Sequence, residues 1–473
     1  MGLLNLSRPV EFEGVSPVTA VFYDDNCGHV FSVRGGGVTG VVVKSMTNTN
    51  VMTQRLATDS NSSGSIVSIK LSPNLSILSV QRSVNTVTFI PVSGTSLPGD
   101  GQDTSSQFCQ MAKSKQSAVL GFVWTSNTEL VYITDSGIEI YSINQEKRHV
   151  KYVRHVSDAV SWYCHVSGHV LLTSATADTD QVTVWSVRAG NIVKLTTLSL
   201  THSVKDKDVK MLTVYDVLYI SVFVKQESSI HLYSVKNDTV SWSHVLTDVD
   251  SDGVIGLHTL DNIILVHSKS QSRSKFYDLQ ISQPHPDHPN IQQVSPPVPP
   301  ASICSHDGSS ITYSPNWVVF LPNILVDARN GKMWSVNMKL VTNNLPAVTS
   351  LTNSNIITVV NFLLNRAHGK TPLINLLKSC VSSRTPLTTL REIFTCIVTA
   401  YTCHQQHVAH DGSSGYPTSC TGVRRSVGGA LGYPPSVILD QPDIFTNVLN
   451  TFNNNGNNTQ YCWNYLNMNH CRS

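Results

Sequence analysis

Six residues near the N-terminus, Gly35-Gly36-Gly37-Val38-Thr39-Gly40, have the G-x-G-x-x-G spacing that cradles the pyrophosphate of a dinucleotide. That chemistry needs a helix directly after the loop, because the helix N-terminus binds the phosphates. Here three valines follow at 41–43, which is typical of another strand. A P-loop fails as well, since Val41 stands where its lysine belongs. We therefore predict a glycine hairpin between two strands and no bound cofactor.

Side chains that can ligate zinc gather near residue 400. They are Cys396, Cys403, His404, His407 and His410. Cys403 and His407 are four residues apart, so a helix would place both on one face. A structural zinc site takes four ligands, and no second closely spaced pair completes a clean set. We therefore assign no metal site.

Carboxylates recur in closely spaced sets that could act in acid–base chemistry or bind calcium. The sets are Asp24 with Asp25, Asp178 with Asp180, and Asp248 with Asp250 and Asp252. The last set, followed by Gly253, resembles the start of a calcium loop, but Thr259 stands where that loop needs glutamate. We interpret it as a turn. No G-x-S-x-G or H-E-x-x-H motif occurs, so we assign no catalytic residue and predict a protein that is not an enzyme.

The densest basic stretch lies between residues 147 and 155. It contains Lys147, Arg148, His149, Lys151, Arg154 and His155. Such a stretch could face an anionic lipid surface or an acidic partner. The sequence favours a solvated loop between neighbouring sheets, and the partner-facing surface of the molecule stays unassigned.

The composition excludes two classes of protein. Among 473 residues, 14% are charged and 40% hydrophobic, and the net charge is +2. This apolar content excludes a globally disordered chain, which combines low hydrophobicity with high net charge. The near-neutral balance lacks the basic face that nucleic-acid binding requires. We expect a folded protein with neither a nucleic-acid partner nor a small-molecule substrate.

Localisation signals are also missing from the sequence. No run of about 20 apolar residues predicts a transmembrane helix. Met1 to Glu13 has no apolar run of signal-peptide length, and Leu6 breaks the myristoylation pattern that begins at Gly2. The ten cysteines form no C-x-x-C pair, and we interpret them as reduced thiols, mostly buried. We therefore expect a cytosolic chain.

Short runs of β-branched and aromatic residues dominate the first 340 positions. The predicted strands cover 18–23, 29–34, 38–44, 65–71, 77–82, 86–91, 119–125, 129–134, 138–143, 162–165, 169–173, 182–187, 218–224, 229–235, 254–258, 263–267, 275–279, 317–321, 324–327 and 333–336. The clearest group, at 120–141, reads as three antiparallel strands joined by tight turns. Because such groups repeat, residues 1–345 predict a WD40-like β-propeller of about seven divergent blades. A large β-sandwich is the competing fold.

Two further regions have their own composition. Residues 283–305 form a Pro-rich loop within the propeller, which we expect to be mobile and partly extended, with an adaptor-binding motif as the alternative. After residue 350 apolar residues recur at helical spacing, in 356–364, in 373–377 after Pro372, in 387–397 after Pro386, and in 436–452. Residues 346–452 therefore predict the start of a truncated helical solenoid, irregular at 403–435. Residues 453–473 read as a disordered or non-native tail.

Four blocks of residues resemble one family, the regulator subunit of the Mon–Ccz complex, also called the Mic-one family. The first block has Arg8-Pro9-Val10-Glu11-Phe12, Pro17-Val18, Val21-Phe22-Tyr23-Asp24, Val30–Arg34, Gly36-Gly37 and Thr39–Lys44. The second has Leu120-Gly121-Phe122, Trp124-Thr125-Ser126, Thr128-Glu129, Ile133-Thr134-Asp135, Gly137-Ile138-Glu139 and Glu146-Lys147-Arg148. The third has Ser314, Trp317–Phe320 and Pro322, and the fourth is Val437–Phe452 with Leu439-Asp440-Gln441 and Asp443.

This resemblance implies a specific function. Such subunits are non-catalytic scaffolds, built from a propeller and a helical solenoid, in the guanine-nucleotide exchange complex that loads GTP on the late-endosomal Rab, the seventh Rab. The implied partners are the Mon and Ccz subunits and, indirectly, that Rab and the endosomal membrane. The implied location is cytoplasmic, peripherally on late endosomes and lysosomes, with roles in their maturation and in autophagy. A subunit of another membrane coat or tethering complex is the alternative.

Overall fold

The computed structural model describes residues 3–47, 52–54, 56, 65–92, 107–166, 168–174, 181–188, 190–200, 204–236, 239–251, 254–340, 353–411, 436–439 and 441–444. Its first strands are β1 (Leu4–Leu6), β2 (Val10–Glu11), β3 (Thr19–Asp24), β4 (His29–Arg34), β5 (Gly40–Ser45), β6 (Met52–Gln54), β7 (Ser68–Leu71), β8 (Ile77–Gln81), β9 (Thr86–Pro91) and β10 (Phe108–Met111). Next come β11 (Val119–Trp124), β12 (Glu129–Thr134), β13 (Gly137–Asn144), β14 (His149–Ser157), β15 (Val160–Val166), β16 (His169–Ser174), β17 (Gln181–Arg188), β18 (Asn191–Ser199), β19 (Val209–Val214), β20 (Val217–Val224), β21 (Ser229–Lys236) and β22 (Thr239–Leu246). The last are β23 (Val254–Leu260), β24 (Ile263–Ser268), β25 (Arg273–Tyr277), β26 (Gln283–Pro284), β27 (Gln292–Val294), β28 (Ile303–Cys304), β29 (Trp317–Phe320), β30 (Ile324–Asp327) and β31 (Lys332–Met338).

These strands form seven sheets, which are the blades of a β-propeller. Blades 1 to 4 each contain four consecutive strands, β3–β6, β7–β10, β11–β14 and β15–β18. Blade 5 contains β19–β22, blade 6 contains β23–β25, and blade 7 contains β29–β31. The first strand of each blade lies innermost, since β3 contacts β7, β15 contacts β19, and β23 contacts both β19 and β29. The predicted fold class is confirmed.

The ring closes by pairing the beginning of the chain with its last blade. Strand β1 is antiparallel to β31, with Leu4 opposite Met338 and Leu6 opposite Val336. Leu4 and Val336 are fully buried in the same core cluster. Blade 7 therefore takes strands from both ends of the propeller sequence, a contact that no local pattern could predict.

Strand β12 shows why the strands in the middle of a blade are easily predicted from the sequence. Its residues Leu130, Val131, Tyr132 and Ile133 are all fully buried. Leu130 and Tyr132 pack toward blade 2, whereas Val131 and Ile133 pack toward blade 4. A sheet covered on both faces needs a continuous apolar run rather than alternation. The predicted bounds of this strand match the observed ones.

The Pro-rich segment is more ordered than predicted. Strand β27 pairs in parallel with β22 of blade 5, and β28 pairs in parallel with β1 of blade 7. Between them the backbones of Ala301 and Ser274 exchange two hydrogen bonds, at 2.7 and 3.0 Å. Val294 and Ile303 are fully buried. The segment is therefore not only a loop: it runs along the edge of the three-stranded blade 6 and pairs with blades 5, 6 and 7, where short strand pairs leave room for prolines that cannot donate.

Among the described residues after the propeller there are four helices: α1 (Asn353–Leu364), α2 (Lys370–Ser382), α3 (Leu387–Asp411) and α4 (Gln441–Ile444). Pro372 lies in the first turn of α2, as predicted. The irregular structure predicted from residue 403 is wrong for 403–411, where α3 remains helical. Residues 412–435 and 445–473 lie outside the described residues, so the predicted tail and the end of the fourth predicted helix are not tested. None of the described helices combines the length and hydrophobicity needed to span a bilayer.

The helices pack on the propeller rather than extending away from it. Val360 and Leu363 of α1 are fully buried in one cluster with Leu265 and Phe276 of blade 6. The backbone N–H of Val437 donates to Leu364 O at 2.9 Å, so the 436–444 segment docks at the end of α1. The division of the chain into a propeller and the start of a solenoid stays a prediction.

Candidate functional site: the central channel

The inner strands surround a cavity of about 940 Å³ along the axis of the ring. Lys70 of β7, His165 of β15, Lys210 of β19 and Val319 of β29 all contribute to its wall. Innermost strands are short and half-buried here, so their polar side chains can face the channel while the alternate ones pack between blades. The channel is therefore a concave site that draws charged residues from several blades.

The turn at Asp24–Gly28 lies at the channel and joins three blades. Within the turn, Asp24 Oδ1 accepts the Asn26 N–H at 3.1 Å and Gly28 adopts a left-handed φ of 68°. Outside it, Asn26 Nδ2 donates to the Trp124 carbonyl of blade 3 at 3.1 Å. The Cys27 thiol approaches the Leu71 carbonyl of blade 2 at 3.9 Å. The turn of blade 1 thus contacts the ends of the next two inner strands.

An ion cluster lies beside this turn. Lys70 Nζ is 3.4 Å from Asp24 Oδ1 and 3.6 Å from Asp25 Oδ1, and His165 Nε2 is 3.8 Å from the same Asp25 oxygen. The Asp24 side chain is only 1% exposed, whereas that of Asp25 is 47% exposed. Asp24 therefore depends on Lys70 for charge compensation, and Asp25 reaches solvent in the channel.

Burial and charge set the protonation states of this cluster. Burial lowers the pKa of Lys70, but the carboxylates of Asp24 and Asp25 outweigh it, so the net shift is upward and the ammonium stays charged. Burial lowers the pKa of His165, and Asp25 opposes that shift only partly. We infer a charged Lys70 and a neutral His165 at pH 7.

The channel has groups of nucleophilic type, but their states do not favour covalent chemistry. Burial raises the pKa of the Cys164 thiol to about 12, and burial raises that of the Tyr163 hydroxyl. A thiol reacts as its thiolate, so Cys164 is held in its unreactive form. What the arrangement offers is a polar, mixed-charge concave surface.

Two comparisons with known proteins bear on the chain. A family described as "Regulator of MON1-CCZ1 complex, N-terminal" matches residues 21–150. The human protein named "Regulator of MON1-CCZ1 complex" is 30% identical over 482 aligned residues, which covers 94% of this chain and 69% of that protein. The chain belongs to this family.

The mouse protein of the same name is 29% identical over 481 residues, again covering 94% of this chain and 69% of the relative. Among solved structures, the β-propeller domain of Cps50 (Swd1) from Myceliophteria thermophila aligns with a TM-score of 0.38 and 9% identity, over 71% of this chain and 100% of that one. The family match at residues 21–150 spans blades 1 to 3, so it contains the Asp24–Gly28 turn and Lys70.

The structure places the other sequence candidates apart from the channel. Residues 35–37 form a tight 3-10 turn between β4 and β5, which confirms the predicted glycine hairpin. Asp248 and Asp250 lie in the connection between β22 and β23, where Asp248 Oδ2 is 3.0 Å from Lys275 Nζ and Asp250 accepts from Ser270 Oγ at 2.9 Å. Asp178, Asp180, Asp252 and Gly253 lie outside the described residues.

The zinc-type residues sit on α3. Cys396, Cys403 and His404 are half-buried on that helix, while the side chains of His407 and His410 lie outside the described residues. Across the part of the chain that the structure describes, no three His, Cys, Asp or Glu side chains group closely enough to hold a metal ion. The seven described cysteines are unpaired; as whole residues Cys380 is buried, Cys109 is exposed and the other five are half-buried, so most of these seven are less buried than predicted.

Within the basic stretch, Lys147 and Arg148 lie in the turn between β13 and β14, but the residues from His149 onward are not the loop that the sequence favoured. Residues 149–157 form strand β14, the outermost strand of blade 3. Val150 and Val156 are its two half-buried residues, and the other seven are exposed. A strand that is solvated on both faces lacks the apolar alternation used to recognise strands. The available signal was its content of β-branched and aromatic residues.

Proposed function

We propose that the chain is a non-catalytic regulatory subunit of a Mon–Ccz guanine-nucleotide exchange complex that loads GTP on the late-endosomal Rab. The observation that carries this proposal is the match of 94% of the chain to relatives named as regulators of that complex. The match includes both the propeller and the helices. A subunit that acts by being bound needs large, ordered surfaces, and the propeller with its docked helices supplies them.

The packing between propeller and helices supports this function. The Arg366 guanidinium is 2.7 Å from Asp278 Oδ2, with both side chains fully buried, and its Nη2 donates to Tyr215 Oη at 2.7 Å. Such contacts hold α1 in one orientation relative to blades 5 and 6. A partner that touches both parts would therefore meet a preformed surface, which lowers the entropic cost of association.

Co-purification tests the proposal. The full chain is mixed with a purified Mon–Ccz dimer and the mixture is resolved by size-exclusion chromatography, with stoichiometric co-elution as the expected result. Exchange on the late-endosomal Rab is then measured for the dimer with and without the chain, and the rate is expected to change. Absence of co-elution at micromolar concentrations would refute the proposal. It would favour a coat or tethering complex, the alternative that the sequence leaves open.

We propose in addition that the chain lies in the cytoplasm, peripherally on late-endosome and lysosome membranes, and acts there in maturation and autophagy. The support is the location at which the proposed complex would load its Rab. Imaging of the tagged full chain beside the late-endosomal Rab tests this. A diffuse distribution that is insensitive to removal of the Mon–Ccz dimer would contradict it.

A further inference from the structure

The outer strands of blades 3 and 4 carry an excess of positive charge. Strands β14 and β18 contain Lys151, Arg154 and Lys194, all exposed, and neither strand contains an Asp or Glu. The two strands contact each other across the gap between the blades. These three cations form what we term the outer basic surface.

The strand register directs these cations to the same gap. Arg154 pairs with Ile140 and Lys194 pairs with Trp185. Ile140 and Trp185 both belong to the core packed between blades 3 and 4, so the side chains opposite them on the same face point toward that gap. Lys151, opposite Ser142, lies on the Ile140 face of blade 3 as well. The cations of two blades thus converge on one surface.

The surface is held in place without its charge being neutralised. Arg154 Nη1 donates to Asn191 Oδ1 at 2.6 Å, which bridges the two blades. Lys194 Nζ lies 5.8 Å from the centre of the Trp185 ring. Neither these two nor Lys151 has an ion-pair partner among the residues that the structure describes. The positive charge is therefore available to an external anion.

Exposed apolar side chains lie on the same two strands as the cations, Val153 at the bulge of β14, and Tyr152 and Val193 on the strand faces turned away from the gap. Tyr152 is 38%, Val153 42% and Val193 43% exposed. Tyr152 also lies against a further cation, Lys113, whose Nζ is 4.6 Å from the ring centre. Exposed apolar groups next to lysines suit a lipid–water interface, where the apolar part enters the headgroup region and the charge stays hydrated.

We propose that the outer basic surface binds an anionic membrane. Two of its three cations are lysines, and lysine acts as a mobile point charge suited to diffuse headgroup charge, whereas specific carboxylate recognition favours the planar fork of arginine. Each lysine or arginine near an anionic leaflet strengthens binding measurably. This inference deepens the proposed peripheral membrane location and rests on it.

Vesicle flotation of the full chain tests the inference. Wild-type chain is expected to float with phosphatidylcholine vesicles that contain about 30% phosphatidylserine, and not with pure phosphatidylcholine. Raising the salt from about 0.1 M to about 0.5 M should release it, because screening shortens the reach of exposed charges. The triple variant Lys151→Glu, Arg154→Glu, Lys194→Glu should lower the partition coefficient by about 100-fold.

A matched variant controls for net charge. This control variant combines Lys236→Glu, Lys269→Glu and Arg273→Glu, at exposed positions of blades 5 and 6. Its net charge changes by the same amount as that of the triple variant. This control is expected to lower binding by less than about threefold. The milder triple variant with Gln at the three positions guards against misfolding, and equal thermal unfolding of all variants shows that they are folded.

The outcomes separate this inference from the proposed function. Failure of the wild-type chain to float, or equal loss in both triple variants, would overturn the membrane surface. If the triple variant with Glu at 151, 154 and 194 floats as wild type does but no longer co-elutes with the Mon–Ccz dimer, the surface is instead a binding site for an acidic protein. If the wild-type chain floats and the triple variant with Glu at 151, 154 and 194 loses flotation but still co-elutes with the Mon–Ccz dimer, both proposals are supported.

Discussion

Arg366 and Asp278 form a fully buried ion pair, with 2.7 Å between Nη2 and Oδ2, that joins the end of α1 to the strand end of blade 6. Tyr215 of blade 5 completes the site, since its hydroxyl donates to Asp278 Oδ1 at 2.8 Å and accepts from Arg366. The guanidinium also donates to the backbone carbonyls of Phe362 and Asp261. A buried cation is tolerated only when its donors are satisfied, so this network holds the helices to the propeller.

Removing the cation from this pair should destabilise the protein strongly. Arg366→Leu leaves the Asp278 carboxylate buried without compensation, and we expect the free energy of unfolding to fall by about 3–5 kcal/mol. Chemical denaturation followed by tryptophan fluorescence measures it. The double variant Arg366→Leu, Asp278→Leu should lose less than Arg366→Leu alone. A single variant within about 1 kcal/mol of wild type would show that the pair does not hold the junction.

Two buried histidines, His258 and His267, belong to one hydrogen-bonded chain. His258 Nε2 donates to Ile324 O at 3.0 Å, so its Nδ1 must accept from His267 Nε2 at 2.9 Å. His267 Nδ1 then accepts from Ser274 Oγ at 2.7 Å, and Ser274 accepts from Tyr313 Oη at 2.6 Å. Burial favours the neutral form of both histidines, and with neutral rings the Ile324 carbonyl, which only accepts, sets the direction of the whole chain.

The stability of the protein should therefore fall in acid. Burial lowers the pKa of His258 to about 4, and burial, with the neighbouring His258, also lowers the pKa of His267 well below its usual value. Because the unfolded chain binds protons near pH 6.5, the stabilisation is complete above that pH and is lost as the pH falls toward 4. For His258 this amounts to about 3 kcal/mol. Free energies of unfolding measured at intervals from about pH 7.5 down to about pH 4.5 test this expectation.

A matched pair of variants assigns this pH dependence. His258→Gln removes the buried titrating group, and we expect a shallower loss of stability below pH 6.5, on a lower baseline. His155 is exposed on β14. His155→Gln should leave the pH dependence unchanged. Equal pH profiles for wild type and His258→Gln would contradict the assignment.

Replacing Lys70 should lower the free energy of unfolding more than replacing an exposed lysine in a similar ion pair. Lys70→Met leaves Asp24 buried without its cation, and we expect a loss of about 3 kcal/mol. Lys225 is the control, since its Nζ is 3.6 Å from Asp208 but its side chain is 50% exposed. Lys225→Met should cost less than about 1 kcal/mol. Adding Asp24→Asn to Lys70→Met should restore part of the stability, and no restoration would argue against the charge explanation.

Alanine substitutions at Gly331 and Gly28 can distinguish the cost of backbone strain from the cost of steric crowding. Both have left-handed φ angles, 63° and 68°. An added Cβ at Gly331 would meet the backbone Phe12 O at 2.1 Å, whereas at Gly28 its nearest neighbour is Tyr23 Oη at 3.9 Å. Gly28→Ala should cost about 1 kcal/mol from strain alone. Gly331→Ala should cost clearly more, because β2 must also move, and equal thermal shifts for the two variants would contradict this.

The amino-acid sequence determined the repeating part of the fold. Strands 29–34, 86–91, 129–134 and 324–327 have the predicted bounds, because strands packed between two blades are rich in β-branched and aromatic residues and are bounded by turn residues. The glycine hairpin at 35–37 followed from the valines after it. The family followed from residue blocks spread along the chain, and the comparisons confirm it.

Tertiary structure decided the rest, because those features depend on residues far apart in the sequence or on exposed strands. Strand β14 has little apolar signal, since solvent rather than a neighbouring blade covers most of it. The pair of Lys70 with Asp24 arises only when blades 1 and 2 have packed, and the pair of Arg366 with Asp278 only when the helices have docked. Local periodicity reports what a segment buries, but which charged side chains then meet is set by the geometry of the assembled blades.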